Sequence, residues 1–393
     1  MNKAYRKTII ACFIGFIVQA IIVNFAPLLF LTFNKGFGIP LKQITVLITI
    51  SFLIQLCMDV LSVKFVDFIG YRASVLLAHG LSALGLLCMA VLPDIIGNAF
   101  VGLIIAMVLY SSGCGLLEVV LSPIVEACPA DNKETAMSLL HSFYSWGQVV
   151  VILLSTLFFW VFGVEKWRIL TLIWAVIPLA NMFLFMRVPI GTLIPEGGEK
   201  TPVRKILKKG VFWAFILIMI CAGAAEQVVS QWASTFAESA LGVSKTVGDL
   251  AGPMFFAAMM GLARVLYGKK GAKIPVRVFM TGGAVLCIAA YLLISLAPVP
   301  ILGLVGCGLC GLGIGVMWPG GYSMAAEKLP TGGTAVFALM ALAGDVGCSG
   351  GPALVGFLSS AFQDNLKIGM LAAAIFPIIL LIVLLLLRKE RKA

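Results

Sequence analysis

The chain has 393 residues, of which 61% are hydrophobic and only 11% charged, with a net charge of +11 and a mean hydropathy of +1.09. That balance excludes a soluble globular domain and requires a polytopic membrane protein. The apolar runs are long and continuous rather than short and alternating, which excludes a transmembrane barrel and leaves helices that close their backbone hydrogen bonds internally.

A spanning helix needs about 20 apolar residues, and the chain offers about twelve such stretches. They begin near Thr8, Gln43, Ser74, Gly97, Ala136, Arg168, Val211, Lys245, Val276, Val299, Gly332 and Leu366. The expected fold class is therefore an all-α polytopic membrane protein with twelve transmembrane helices. The first run is long enough to span and a second follows after a short turn, so it reads as a retained helix rather than a cleaved signal peptide. It contains Val23-Asn24-Phe25-Ala26-Pro27; the Asn24 amide can hydrogen-bond a solute but cannot carry a proton. After the second run comes Asp67-Phe68-Ile69-Gly70-Tyr71-Arg72, a polar turn with a carboxylate at a helix end.

Glu118 lies in the fourth run, between Val101 and Val125, where nearly every other side chain is apolar or small. An acid in hydrocarbon is costly and by default marks a pathway or a proton relay; the plainer reading is a hydrogen bond between packed helices. The fifth run carries His141. Val188 to Gly210 is the longest polar interval, with Pro189, Pro195, Pro202 and the basic residues Arg204, Lys205, Lys208 and Lys209, and reads as a cytoplasmic linker. The domains expected are thus 1–187, the linker 188–210 and 211–393.

The seventh run holds Glu226, Gln227, Gln231 and Trp232. Gln227 and Gln231 are four apart and stack on one helix face. Amides beside an indole suit a polyhydroxylated ligand, whose hydroxyls need donors and acceptors and whose C–H face packs on a ring. The rival is amide bonding between helices. In the tenth run, Gly306-Cys307-Gly308-Leu309-Cys310-Gly311 fits both a dinucleotide glycine pattern and a cysteine pair, yet no strand precedes it, and close helix packing explains it. Asp345, in the eleventh run, has small neighbours on both sides, and functional and structural readings are evenly balanced.

Other polar residues have plainer readings. Asp59, Glu126 and Glu327 fall near cytoplasmic helix ends, where they can snorkel or pair with Arg264, Arg72 and nearby lysines. The ten cysteines sit in spans or at their ends and read as buried free thiols acting as small hydrophobes. His79 reads as a satisfied polar residue. The histidines stand far apart and no carboxylate spacing resembles a ligand set, so no metal site, no cofactor and no catalytic centre is expected.

Basic residues set the orientation. Lys3, Arg6, Lys7, Lys64, Arg72, Lys133, Arg187, Lys200, the linker cluster, Lys269, Lys270, Lys273, Arg277, Lys328, Arg388, Lys389, Arg391 and Lys392 fall on the side of the termini. Lys35, Lys42, Lys166, Arg168, Lys245 and Lys367 fall opposite. Both termini are then cytoplasmic, in the cell membrane. The positive charge is a topology signal, and no nucleic-acid partner is implied.

The halves repeat. Glu126-Ala127-Cys128-Pro129 followed by Thr135-Ala136 has a counterpart in Glu327-Lys328-Leu329-Pro330 followed by Thr334-Ala335. Ser122-Pro123 matches Trp318-Pro319, and Arg72 and Arg277 each open a third helix, all at an offset of about two hundred residues. Parallel repeats of this kind are the plan of the major facilitator architecture. The loop Asp67 to Arg72 resembles that superfamily's cytoplasmic signature, with Phe68 where an Arg is usual. The resemblance implies a conformational latch made by Asp67, Gly70 and Arg72.

The stretch Gly113-Cys114-Gly115-Leu116-Leu117-Glu118 through Ser122-Pro123, with Ser138 to Gly147 after it, is similar to the fucose permease branch of sugar symporters. The resemblance implies that Glu118 is the proton-coupling residue and places His141 at an amide or His position. That branch also uses a first-helix Asp, where this chain has Asn24. The expectation is a secondary active transporter of a small polar solute, with a sugar as the first choice. Asn24, His141, Glu226, Gln227, Gln231, Trp232 and Asp345 would bind it. The expected partners are the solute, a proton or else sodium, and membrane lipid, with the protein a monomer. The rivals are an exporter of an amphipathic compound, favoured by the many Phe and Met side chains, and a non-transporting membrane sensor on the same fold.

Overall fold

The computed structural model describes residues 5–39, 41–129, 132–191, 201–242, 250–270, 274–363 and 365–387. Lys3, Lys200, Lys245, Lys273, Arg388, Lys389, Arg391 and Lys392, which carry part of the orientation argument, lie outside the described residues. So do residues 192–200 of the expected linker and the expected start of the eighth span at Lys245.

Among the described residues every regular element is helical: α1 (Arg6–Leu28), α2 (Phe30–Phe37), α3 (Leu41–Ile95), α4 (Ala99–Ala127), α5 (Lys133–Phe162), α6 (Trp167–Arg187), α7 (Val203–Ile206), α8 (Gly210–Leu241), α9 (Phe255–Lys270), α10 (Val276–Leu296), α11 (Pro300–Ile314), α12 (Met317–Lys328), α13 (Gly333–Ala361), α14 (Leu366–Ala372) and α15 (Ile375–Leu386). Among the described residues eleven stretches are long and apolar enough to span, and one of them, Ile50–Ile95, runs for 46 residues. At about 1.5 Å per residue that is twice the thickness of a bilayer core. It is two spans, because Gly70 inside α3 has φ 83° and ψ 158°, which a side chain would not tolerate and which turns the chain back. The described residues thus hold twelve spans, six up to Arg187 and six from Gly210 on.

The contacts group into two compact units, residues 1–131 with 146–195, and residues 132–145 with 196–393. The first fourteen or so residues of the α5 region thus pack with the second unit, and the rest of α5 with the first.

In the first unit α3 packs along α4 and against α6, and α1 lies on α4 and α6. Small residues allow the close approach: a Cβ on Gly113 would meet Ser82 Oγ at 2.5 Å and the Ala78 carbonyl at 2.6 Å, and one on Gly85 would meet the backbone of Tyr110. His79 is fully buried. Its Nδ1 lies 2.8 Å from the Val75 carbonyl and its Nε2 2.8 Å from Asn181 Nδ2, which also donates to the Ala11 carbonyl. A carbonyl only accepts, so the proton is on Nδ1, and His79 is satisfied, as the sequence suggests.

In the second unit α8 packs on α13 and on α11, α12 and α15, while α10 packs on α11 and α15 and α9 on α11. The glycine-rich run of α11 is a packing surface on two sides. Gly306 faces Ala290 and Ile294 of α10; Gly308 faces the Phe255 ring and Gly311 the Phe256 carbonyl, both of α9. On α13, Gly347 meets the Ile220 carbonyl and Gly351 the Ala224 backbone of α8. Cysteines depart in part from the expectation of burial: Cys57 is exposed, and Cys88 and Cys348 are half-buried.

Candidate functional site

In the first unit an acid of the fourth span meets an amide of the first. Glu118, half-buried on α4, accepts a hydrogen bond from Gln19 Nε2 of α1 at 3.1 Å. Gln19 is only 6% exposed. Gly15, one turn earlier on α1, lets that helix approach α4, since a Cβ there would meet the Leu121 side chain at 2.8 Å. A carboxylate in hydrocarbon is retained only with such partners or a water-lined face. Asn24, on the same helix as Gln19, turns its amide back to the Ala20 carbonyl at 2.9 Å. Sequence reasoning singled out Asn24 on α1 and missed Gln19; the available signal was an amide five residues earlier in an otherwise apolar run.

The turn between the second and third spans is also resolved in detail. Arg72 donates from Nη1 to the carbonyls of Phe185 at 2.7 Å and Met186 at 3.1 Å, and from Nη2 to that of Val188 at 2.9 Å. These are the carbonyls that the end of α6 leaves without intrahelical donors, and a cation there also suits the helix dipole. Arg277 does the same kind of work in the second unit, its Nε donating to the Leu384 carbonyl near the end of α15 at 3.1 Å. The repeat read from the sequence is thus expressed as two homologous anchors of a third helix on a sixth.

The second unit is organised around Arg264 of α9, which the sequence placed near a helix end as a partner for terminal acids. The structure corrects this: Arg264 is 2% exposed. Its Nε donates to the Gly315 carbonyl at 2.7 Å, Nη1 to the His141 carbonyl at 3.0 Å and to Ser145 Oγ at 2.6 Å. Nη2 meets Glu226 Oε2 at 3.4 Å. The Gly315 bond follows from sequence: residue 319 is proline, so Gly315 has no donor four residues on, and the break between α11 and α12 leaves its carbonyl open. That orphan carbonyl was the legible signal for a buried donor. Asp59 and Glu126 are likewise buried rather than snorkelling, whereas Glu327 is exposed.

The remaining predicted residues of this unit are spread along α5, α8 and α13. His141 is buried, its ring 5.8 Å from Tyr322, which stacks on Phe337 at 5.4 Å. Gln227 is half-buried and Gln231 exposed on the same face of α8. Trp232 donates from Nε1 to the Pro352 carbonyl at 3.0 Å and lies against Gly356 of α13. Asp345 is 7% exposed. No group of His, Cys, Asp and Glu suited to a metal occurs among the described residues.

A family model described as Major Facilitator Superfamily matches residues 10–352 and 240–393. No curated protein matches the chain. Solved structures similar in fold include three transporters. The Escherichia coli fucose:proton symporter FucP is 15% identical, covers 98% of this chain and 99% of its own, and has a TM-score of 0.82. The proton:xylose symporter XylE, bound to 6-bromo-6-deoxy-D-glucose, is 13% identical over 99% and 96% of the two chains with a TM-score of 0.85. The human organic anion transporter MFSD10 is 14% identical over 98% and 100% with a TM-score of 0.77.

Proposed function

The chain belongs to the major facilitator superfamily, and on that premise we propose that it is a proton-coupled carrier importing a small polar solute, a sugar being the class its side chains suit best. The observation that carries this reading is the Gln19 to Glu118 hydrogen bond. An acid kept in hydrocarbon beside the Gln19 amide can take up a proton, lose its charge and so remove the penalty that opposes reorientation of the loaded carrier. Two neighbours in fold, a fucose:proton and a proton:xylose symporter, support the choice of solute and ion.

Gln227 and Gln231 offer amide donors and acceptors on one face of α8, with Trp232 one residue on. Asn24, His141, Glu226 and Asp345 complete the set assigned to the solute. Asp67, Gly70 and Arg72 form the turn whose anchoring conditions the conformational cycle. In this reading the halves 1–187 and 211–393 move as two bodies joined by 188–210, with both termini cytoplasmic in the cell membrane and the protein acting as a monomer.

The test is uptake in reconstituted vesicles across a sugar panel with an imposed proton gradient. Glu118→Gln abolishes accumulation against a gradient and spares counterflow exchange of the same sugar. Undiminished accumulation by the variant would overturn the coupling role, and no uptake of any panel member by the wild type would overturn the solute class.

A further inference from the structure

We propose that Glu226 is a second proton-binding group of this carrier and that Arg264 relays its charge state to the segment 132–145 at the start of α5. The inference rests on the coupled-transport reading for its purpose, but its geometry is independent of Glu118. Among the described residues Glu226 is the only acid within ion-pair distance of Arg264, whose side chain is 2% exposed against 13% for Glu226. A guanidinium cannot give up its proton. Protonation of Glu226 therefore leaves a buried cation without a counter-charge, which is strongly unfavourable. The relief available is movement of the groups that hold Arg264.

Apart from the Gly315 carbonyl at the end of α11, those groups lie on α5. Arg264 donates to the His141 carbonyl and to Ser145 Oγ, while Ser138 Oγ donates to the Arg264 carbonyl at 2.8 Å. Further along the same face Tyr267 donates to Glu134 Oε2 at 2.8 Å, and Gly268 takes the Leu139 side chain, which a Cβ would meet at 2.7 Å. Positions 134, 138, 141 and 145 recur every three or four residues, one stripe of a helix. Arg264 is thus the keystone of a polar ladder tying α5 to α9, and its charge balance depends on Glu226.

Among the described residues the other titratable groups beside the pair are Tyr291 of α10, which donates to the Ala225 carbonyl, Cys310 of α11, and Tyr144 and His141 of α5. None of them is an acid that could replace the Glu226 carboxylate as counter-ion near neutral pH.

The experiment is infrared difference spectroscopy of the full-length protein in lipid, paired with hydrogen exchange of peptides covering 132–145, both followed on acidification. The wild type should gain a carboxylic-acid band that Glu226→Gln lacks and lose protection of 132–145 as that band appears. Glu226→Gln should show low protection at every pH. Glu118→Gln should keep the Glu226 band and the pH-dependent protection even if the transport reading fails, so the two ideas can fail separately. Arg264→Lys should retain the band while losing protection. In the neutral pair Glu226→Gln with Arg264→Gln, which removes the uncompensated charge, the band should be absent and the protection independent of pH. A band unchanged in Glu226→Gln, or protection of 132–145 that follows acidification in the neutral pair, would overturn the proposal.

Discussion

Replacing Arg72 by alanine distinguishes an anchor within the first unit from a latch that acts only in transport. The side chain makes three hydrogen bonds to the last carbonyls of α6, at 2.7, 3.1 and 2.9 Å. At about 1 kcal/mol net for each partly solvated bond, and about 0.3–1 kcal/mol for a cation at a helix C-terminus, the loss comes to about 3–4 kcal/mol. For a unit of this size that is a fall in Tm of about 6–15 °C. Arg72→Lys keeps the charge but not the forked geometry and should recover less than half of the loss. The assay is thermal unfolding of the detergent-purified protein, followed by size-exclusion of the surviving fraction. An unchanged Tm together with lost transport would refute the anchoring argument and leave the latch. Arg277→Ala, which removes the corresponding bond to Leu384, should destabilise the second unit by the same means.

Three further outcomes follow from particular contacts. Gly347→Leu drives a side chain into the Ile220 carbonyl of α8 and should abolish folded yield, whereas Gly350→Ala, with nothing within 4 Å, should be tolerated; size-exclusion of fluorescent fusions reads both. Gln19→Ala removes the donor to Glu118, a bond to a charged group contributing about 1.5–3 kcal/mol, and should lower gradient-driven uptake about tenfold or more in initial-rate measurements. His79→Leu leaves the Asn181 amide short of a buried partner and should lower stability by about 1–3 kcal/mol, read as a fall in Tm with transport retained at permissive temperature.

The sites differ in how far they were legible. Glu118 stood out because an acid amid apolar residues is a local contrast, and its depth follows from counting along one helix. Its partner did not, because Gln19 is 99 residues away in the chain. Arg264 was misjudged for a related reason. It lies near Lys269 and Lys270 in the span of lowest mean hydropathy, 1.2, so it looked like part of a basic helix end. Its burial depends on four groups drawn from α5, α8 and the end of α11, none close to it in sequence. The Gly315 carbonyl left open by Pro319 was a local clue, but it says only that some donor must arrive.

The class of the protein, its all-helical fold, the number and approximate limits of its spans and its internal repeat can all be read along the chain. These rest on hydropathy, helix length and residue spacing, which are properties of neighbouring residues. Which polar groups meet is settled by packing between helices: Gln19 with Glu118, Arg72 with the end of α6, and Arg264 with Glu226 and the start of α5. In a medium that supplies no water to unpaired groups, each polar side chain must find its partner inside the protein. That partner is chosen by helix packing, which no local stretch of sequence encodes.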